Sequence, residues 1–417
     1  MSHGGVRVLP PNDRTVRLVG VTALAVGFAL VVVMMAEERL VAADWSPVEL
    51  TAPPGRNLEI ILLAVAAAFV ARRPHRDLVR PVVALSIVIG MYALVALVDG
   101  ASAGPALGVI AMLIIIVLAP PLPPHRLERL ILAVLLVVVV VSVGLYVAGI
   151  GNVGSSRRLS VGPLALLPDI GRARGLFTWA SDLGIAATLL ILVSLRGMAR
   201  ATLRRSMATF AIVTGLVTIV VADALTALLA LLVALLFGAI VGRLRAGPFV
   251  SASVVTVLLF PFVVALLGRP SLTGRAVLWR RILEESSLGE LLLGAGHRAM
   301  DGPFGDRVAV EWGPVHAHNA GLDVLVATGV LGLLAYLVAL ATMLVLAMRV
   351  APVAGPWAFV GVVLWILNGL TEIHLDRLRP SLMLPLFLVM LLLSQSAALA
   401  SREVRRPDAA LSSERER

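Results

Sequence analysis

Runs of about 20 apolar residues recur along this chain, from Val19–Ala36 near its start to the stretch at 380–397 near its end, and no other feature constrains the fold as much. A backbone that enters hydrocarbon must pair its own N–H and C=O groups, because water is not there to do so. A helix does this within one segment, and about 20 residues at 1.5 Å each cross a core roughly 30 Å thick. The expected fold is therefore all-α, a polytopic integral membrane protein. Composition excludes an ordinary soluble enzyme: 59% of the 417 residues are hydrophobic and 14% are charged, where a soluble domain has roughly half and a quarter. With no cysteine, neither a disulfide framework nor a thiolate metal site is available.

The apolar stretches give twelve expected spans, roughly 17–36, 57–71, 81–99, 104–122, 130–149, 176–195, 207–222, 224–242, 248–267, 320–347, 355–374 and 380–397. All 35 basic residues are arginine, so every such cation is a planar, permanently charged donor. Arg7, Arg14 and Arg17 precede the first span, and Arg72, Arg73, Arg76 and Arg80 follow the second. Arg126 and Arg129 follow the fourth, Arg196, Arg200, Arg204 and Arg205 the sixth, and Arg243 and Arg245 the eighth. These groups share one side if each span crosses once, which places the chain in the plasma membrane with both termini cytoplasmic. The net charge of +10 then needs no nucleic-acid partner. Val19–Ala36 lacks a small-residue cleavage site and reads as a span rather than a removed signal. The expected parts are a cytoplasmic tail at 1–16, spans one to nine over 17–267 with an outer loop at 150–175, a large extracytoplasmic loop at 268–319, spans ten to twelve over 320–397, and a cytoplasmic tail at 398–417. The polar, charged stretch after Ser401 is expected to be disordered.

Two outer loops break the charge bias. One carries Arg157, Arg158, Arg172 and Arg174; the other carries Arg269, Arg275, Arg280, Arg281, Arg298 and Arg307. Long loops translocate whatever their charge, which is the structural explanation. The functional explanation is an anion handled on the outer face, and it is preferred because the arginines accompany a histidine-bearing stretch. Within the large loop, Val277, Leu278, Ile282, Leu283, Leu288, Leu291 and Leu292 are spaced for amphipathic helices on a membrane surface. Trp279 and Trp312 are expected to be interfacial anchors.

That stretch runs from His316 to Gly332, where the large loop meets the tenth span. If Asn319 or a neighbour caps this span, His318 sits at the positive end of a helix, which favours a neutral imidazole able to accept a proton. His316 and His318 would share a face in an extended segment, as metal ligands do, but there is no Asp-x-Asp pair and no third ligand at diagnostic spacing. No metal is expected. Gly329 and Gly332 read as close helix packing. Asp182, Asp223 and Glu372 lie in or near span ends, and the arginines or histidines of the outer loops are the candidate partners of such carboxylates. Glu37 and Glu38 open the first outer loop, where a solvated loop end is the common case.

His318-Asn319, nine residues, then Gly329-Val330-Leu331-Gly332 resembles the signature of the O-antigen ligase and O-antigen polymerase family, which is His, then Asn, Ser or Gln, nine residues, then Gly-x-x-Gly. Arg174-Gly175-Leu176-Phe177 is similar to the family's Arg-x-Gly lead into the sixth span, although here the glycine follows directly. Gly274-Arg275-Ala276-Val277-Leu278-Trp279 is similar to the Gly-Arg…Leu-Trp opening of its large outer loop. The resemblance in topology covers the chain; the motifs cover about 170–335.

The resemblance implies a metal-independent, cofactor-free, inverting glycosyltransferase embedded in the bilayer. It would take a glycan from a polyprenyl diphosphate on the outer leaflet and join it to a hydroxyl of a glycan, lipid or protein acceptor, as a surface polysaccharide polymerase or ligase. The leaving group gains negative charge, and without a metal, arginine forks are its natural stabilisers. Arg174 and Arg275 are assigned that role, with Arg280 and Arg281 in reserve as substrate-binding groups. His318 would be the general base or would position the acceptor, Asn319 would hold it, and His316 would lie beside the substrate. The polyprenyl chain would occupy a lipid-facing groove between spans. The alternative is a multi-pass transporter or flippase of lipid-linked glycan, which predicts paired half-repeats and broken helices near the midplane. No repeat is visible, and the polar groups gather at the outer interface.

Overall fold

The computed structural model describes residues 76–98, 106, 109–110, 113–114, 116, 124–149, 152–153, 171–177, 179–267, 275–296, 299–309, 316–373 and 380–415. Helices dominate these residues: α1 (Arg76–Val98), α2 (Pro124–Val147), α3 (Ala180–Ala199), α4 (Arg205–Val221), α5 (Leu225–Ile240), α6 (Ala246–Leu267), α7 (Arg275–Glu285), α8 (Leu288–Leu293), α9 (Pro303–Val308), α10 (Ala320–Ala354), α11 (Trp357–Gly369) and α12 (Pro380–Arg415). Strands β1 (Asn152–Val153) and β2 (Arg172–Ala173) pair antiparallel, Asn152 opposite Ala173. The expected spans at 17–36 and 57–71, and most of that at 104–122, lie outside the described residues, as do Trp312, Glu37 and Glu38. The other nine expected spans fall on α1 to α6 and α10 to α12.

Among the described residues seven helices are long and apolar enough to cross a membrane: α1, α2, α3, α5 together with the 3-10 turn that extends it to Arg243, α6, α10 and α12; α4 and α11 are apolar but shorter. Outward faces keep Leu94, Val137, Phe210 and Leu236 exposed. Apolar faces of this kind suit a lipid solvent. At the centre, α10 packs against α1, α6, α8, α11 and α12. Between α2 and α3 a fully buried ion pair joins Arg196 to Glu128 at 2.9 Å, and the Thr202 hydroxyl also donates to Glu128. The last helix departs from expectation. Instead of disorder after Ser401, α12 continues to Arg415, carried on an established helix although Pro407 in this stretch is a poor helix former.

Two features of the large outer loop set up the site. The first is α8, started by a capping box in which Ser287 accepts from the Glu290 N–H at 3.2 Å and the Glu290 carboxylate accepts from the Ser287 N–H at 2.8 Å. The second is a break in α10 at Gly329, whose φ of 70° and ψ of −170° are not helical. A break frees carbonyls, and inside a membrane protein they need partners. The loop supplies one: the Ala295 N–H donates to Val326 O at 2.7 Å. The approach is backbone on backbone. A Cβ on Gly329 would stand 2.2 Å from Leu292 O, and one on Gly294 would stand 2.5 Å from Ala327 O.

Candidate functional site

The site is organised by Asn319. Its extended backbone (φ −155°, ψ 123°) makes it the N-cap of α10, where its Oδ1 accepts from the Leu322 N–H at 2.9 Å. Its Nδ2 donates to Leu370 O at 3.0 Å, just past the end of α11. One amide therefore starts α10 and draws the turn carrying Glu372 alongside. Asn319 holds the backbone on either side of the site; the group that faces the His318 ring is Glu372.

His318 has a left-handed backbone (φ 52°), a conformation that costs a non-glycine residue energy and persists only where its surroundings enforce it. Here the neighbouring Ala317 carbonyl accepts from Trp279 Nε1 at 2.6 Å. Trp279 is only 1% exposed, so it is a buried brace of the histidine segment and not the interfacial anchor expected of it. The rings of His316 and His318 lie 3.9 Å apart by centroid, and Trp179 covers His316 at 4.9 Å. The shared face expected for the two histidines is present, reached through the turned backbone at His318.

Glu372, buried just beyond α11, completes the cluster. Arg275, the first residue of α7, places Nη2 3.0 Å from Glu372 Oε1. His318 Nδ1 lies 3.9 Å from Oε2, in ion-pair range but longer than a good hydrogen bond. Burial raises the proton affinity of this carboxyl, but His318, Arg275 and His316 together outweigh that and hold it down to about 2. At neutral pH it is a carboxylate shared between a guanidinium and an imidazole.

Arg174 stands on a strap leading into α3. The strap is fixed to α2 at two points: Tyr146 donates to Gly171 O at 3.1 Å, and the Leu176 N–H donates to Ser142 Oγ at 3.1 Å. Gly175 (φ 54°) lies so close to Ser142 that no side chain fits. Arg172 is occupied elsewhere, donating to Ala222 O and Asp223 O at 3.2 and 3.3 Å and lying 3.8 Å from the Asp223 carboxylate. Arg174 is different. Its Nε is buried with no acceptor among the described residues, and burial lowers its pKa from the ordinary arginine value. Trp179 Nε1, five residues on, is also a buried donor with no acceptor among the described residues. Arg174 itself makes no bond to His318, Arg275 or Glu372. The extended reach of five residues, about 18 Å at most, ties its strap to the Trp179 ring that rests on His316.

The reserve arginines serve the scaffold. Arg280 donates Nε and Nη2 to Ala265 O at 3.2 and 2.8 Å, closing the end of α6. Arg281 donates to Ala309 O. Gly329 and Gly332 were expected to mark close helix packing; Gly329 meets the Leu292 carbonyl in the last turn of α8 and the Gly294 N–H just beyond it, and Gly332 lies against the Thr328 side chain of its own helix. Asp182 and Asp323 are buried in the first turns of α3 and α10, and Tyr92 donates to Asp323 at 3.4 Å.

The third potential metal ligand that spacing could not supply is brought in by the fold. Ligand atoms of His316, His318 and Glu372 lie within 4.8 Å of one another. Around a tetrahedral ion with bonds near 2.0–2.1 Å such atoms are roughly 3.3–3.5 Å apart. The widest pair would have to close by up to about 1.5 Å, and one Glu372 oxygen already receives a guanidinium, whose charge opposes a second cation beside it. The chain matches no family model and no curated protein, and what this cluster does has to be derived from its own groups.

Proposed function

We propose that this protein is a metal-independent membrane glycosyltransferase. In this reading it has twelve spans with both termini cytoplasmic. It moves a glycan from a polyprenyl diphosphate to an acceptor hydroxyl at the outer face of the plasma membrane, as a surface polysaccharide polymerase or ligase. One observation carries the reading: the His318 imidazole and the carboxylate-held Arg275 meet at Glu372, beside a strap whose Arg174 Nε and Trp179 Nε1 are buried donors with no acceptor among the described residues. Surplus donors suit a ligand rich in negative oxygen, and a diphosphate is such a ligand. The resemblance of the His318–Gly332 and Arg275–Trp279 segments to the O-antigen ligase and polymerase family supports the same chemistry.

The steps follow from the groups. The acceptor oxygen forms a bond to the anomeric carbon while its proton passes to the His318 imidazole. Glu372 faces the charge this ring acquires and keeps the ring oriented. The bond from the anomeric carbon to the phosphate oxygen breaks, and its electron pair leaves with the diphosphate. Arg275 and Arg174 stabilise that growing charge. His316, under Trp179, lines the sugar side.

A transporter of lipid-linked glycan is the second reading, and the break in α10 is the observation in its favour. That break is filled by the Gly294–Ala295 backbone, however, and irregular backbone buried in protein is tolerated without any transport role. Proteoliposomes holding a polyprenyl-diphosphate glycan, with a chelator present, separate the two. Release of polyprenyl diphosphate supports transfer; movement of intact lipid between leaflets supports transport, and release only after zinc is restored supports a metal enzyme.

A further inference from the structure

The opposite end of the α1–α10 pair carries a separate feature. Tyr92, late in α1, bonds Asp323, early in α10, at 3.4 Å, so the helices run antiparallel and the start of α1 meets the end of α10. A cavity of about 440 Å³ opens between them, with Asp77, Arg80 and Pro81 on one wall and Thr342, Val345 and Arg349 on the other. Arg349 follows Asn319 by 30 residues, about 45 Å of helix before the break is allowed for. A whole bilayer with its headgroups is about 40–45 Å thick. The cavity therefore sits at the headgroup level of the leaflet remote from the histidines.

Its chemistry is specific. Arg80 and Arg349 are exposed, and neither makes an ion pair or side-chain hydrogen bond among the described residues. With Asp77 beside Arg80 on the α1 wall, the lining residues carry a net charge of +1, which one phosphodiester neutralises. Pro81 has no N–H, so the Asp77 carbonyl one turn earlier is freed from the helix. That carbonyl and the Asp77 carboxylate are acceptors suited to headgroup hydroxyls. Val345 and the neighbouring apolar wall offer the start of a path for an acyl chain. We propose that this groove binds an anionic phospholipid with a hydroxyl-bearing headgroup, in the leaflet opposite the histidine cluster. The proposal rests on the membrane reading and is independent of glycan transfer.

The test is native mass spectrometry of the full chain released from micelles containing equal phosphatidylglycerol and phosphatidylcholine. Wild type is expected to retain phosphatidylglycerol, and Arg80→Gln with Arg349→Gln to retain at least about tenfold less, the loss of two charge-assisted contacts. Arg243→Gln with Arg245→Gln, exposed arginines outside the groove, is the control and should retain it. If the double variant loses its helical circular dichroism, each single variant is read instead, with a severalfold loss expected from both. Equal retention of the two lipids by wild type, equal loss in the control variant, or complete displacement by millimolar inorganic phosphate would each overturn the proposal. The last outcome would mean a site for free phosphate.

Discussion

Arg275 and Glu372, 97 residues apart in the chain, meet at 3.0 Å, and the same carboxylate faces His318 at 3.9 Å. The large outer loop and the turn after α11 are thereby joined at the imidazole. Arg275 therefore has two partners to serve, a permanent carboxylate and, in the proposed reaction, a transient diphosphate.

Glu372→Gln keeps the shape of the side chain and removes its charge. Transfer at neutral pH is expected to fall about 10²- to 10³-fold, as for loss of a positioned charged group in an active site. Stability should respond to pH in one direction. An unfolded glutamate titrates near 4.3, whereas the folded group is held at about 2. Folding thus favours the ionised form, and its stabilisation is complete above the unfolded value and lost as pH falls through 2. Thermal denaturation in detergent should show a gap between wild type and variant that is constant above about pH 5 and closes towards pH 2. A gap independent of pH would show that the carboxylate is not held ionised by its neighbours.

Arg275→Lys should separate charge from geometry. The ammonium can still neutralise Glu372 but cannot span two oxygens of a diphosphate. Transfer is expected to drop roughly 10- to 100-fold with little change in melting temperature. Arg280→Ala should do the reverse. It removes a clamp on Ala265 O, costing about 1.5–3 kcal/mol of stability, while each folded molecule keeps its turnover.

Gly329→Ala places a methyl group 2.2 Å from Leu292 O on a backbone with φ 70°. Both the strain and the clash with backbone oppose it, and a loss of at least about 2 kcal/mol is expected. Limited proteolysis should then cut the loop around 288–296 first. Gly90→Ala, with nothing within 4 Å in the middle of α1, should be neutral or stabilising by up to about 1 kcal/mol.

Glu128→Ala or Arg196→Ala strands a charge that is 1% exposed or less, and each single change is expected to cost about 3–5 kcal/mol. Replacing both with leucine and methionine should restore most of that. A double-variant cycle in thermal denaturation reads the difference.

The helices were legible because hydropathy and length alone decide what can lie in a bilayer. The Asn319 cap was legible too, since an amide before an apolar run has an obvious use. Glu372 stood out as a carboxylate near a span end needing a cationic partner. Its actual partner was harder to choose. Arg275 and Arg280 are five residues apart on α7, which turns them about 140° from each other, and only the packing of α7 decides which faces Glu372. The break of α10 at Gly329 was not legible, because it depends on a distant backbone, the Ala295 N–H that takes up the Val326 carbonyl. Trp279 looked like a surface anchor for a related reason. Its composition suits an interface, but the Ala317 carbonyl that buries it lies 38 residues away.

The most direct test of the central claim is polyprenyl diphosphate release in proteoliposomes with the donor glycolipid and a chelator, comparing wild type with His318→Ala and Arg275→Ala. The account predicts release by wild type and a loss of at least about 10²-fold in each variant, with both variants still folded and inserted. Release that survives both substitutions, or intact lipid crossing the bilayer with no bond broken, would contradict it.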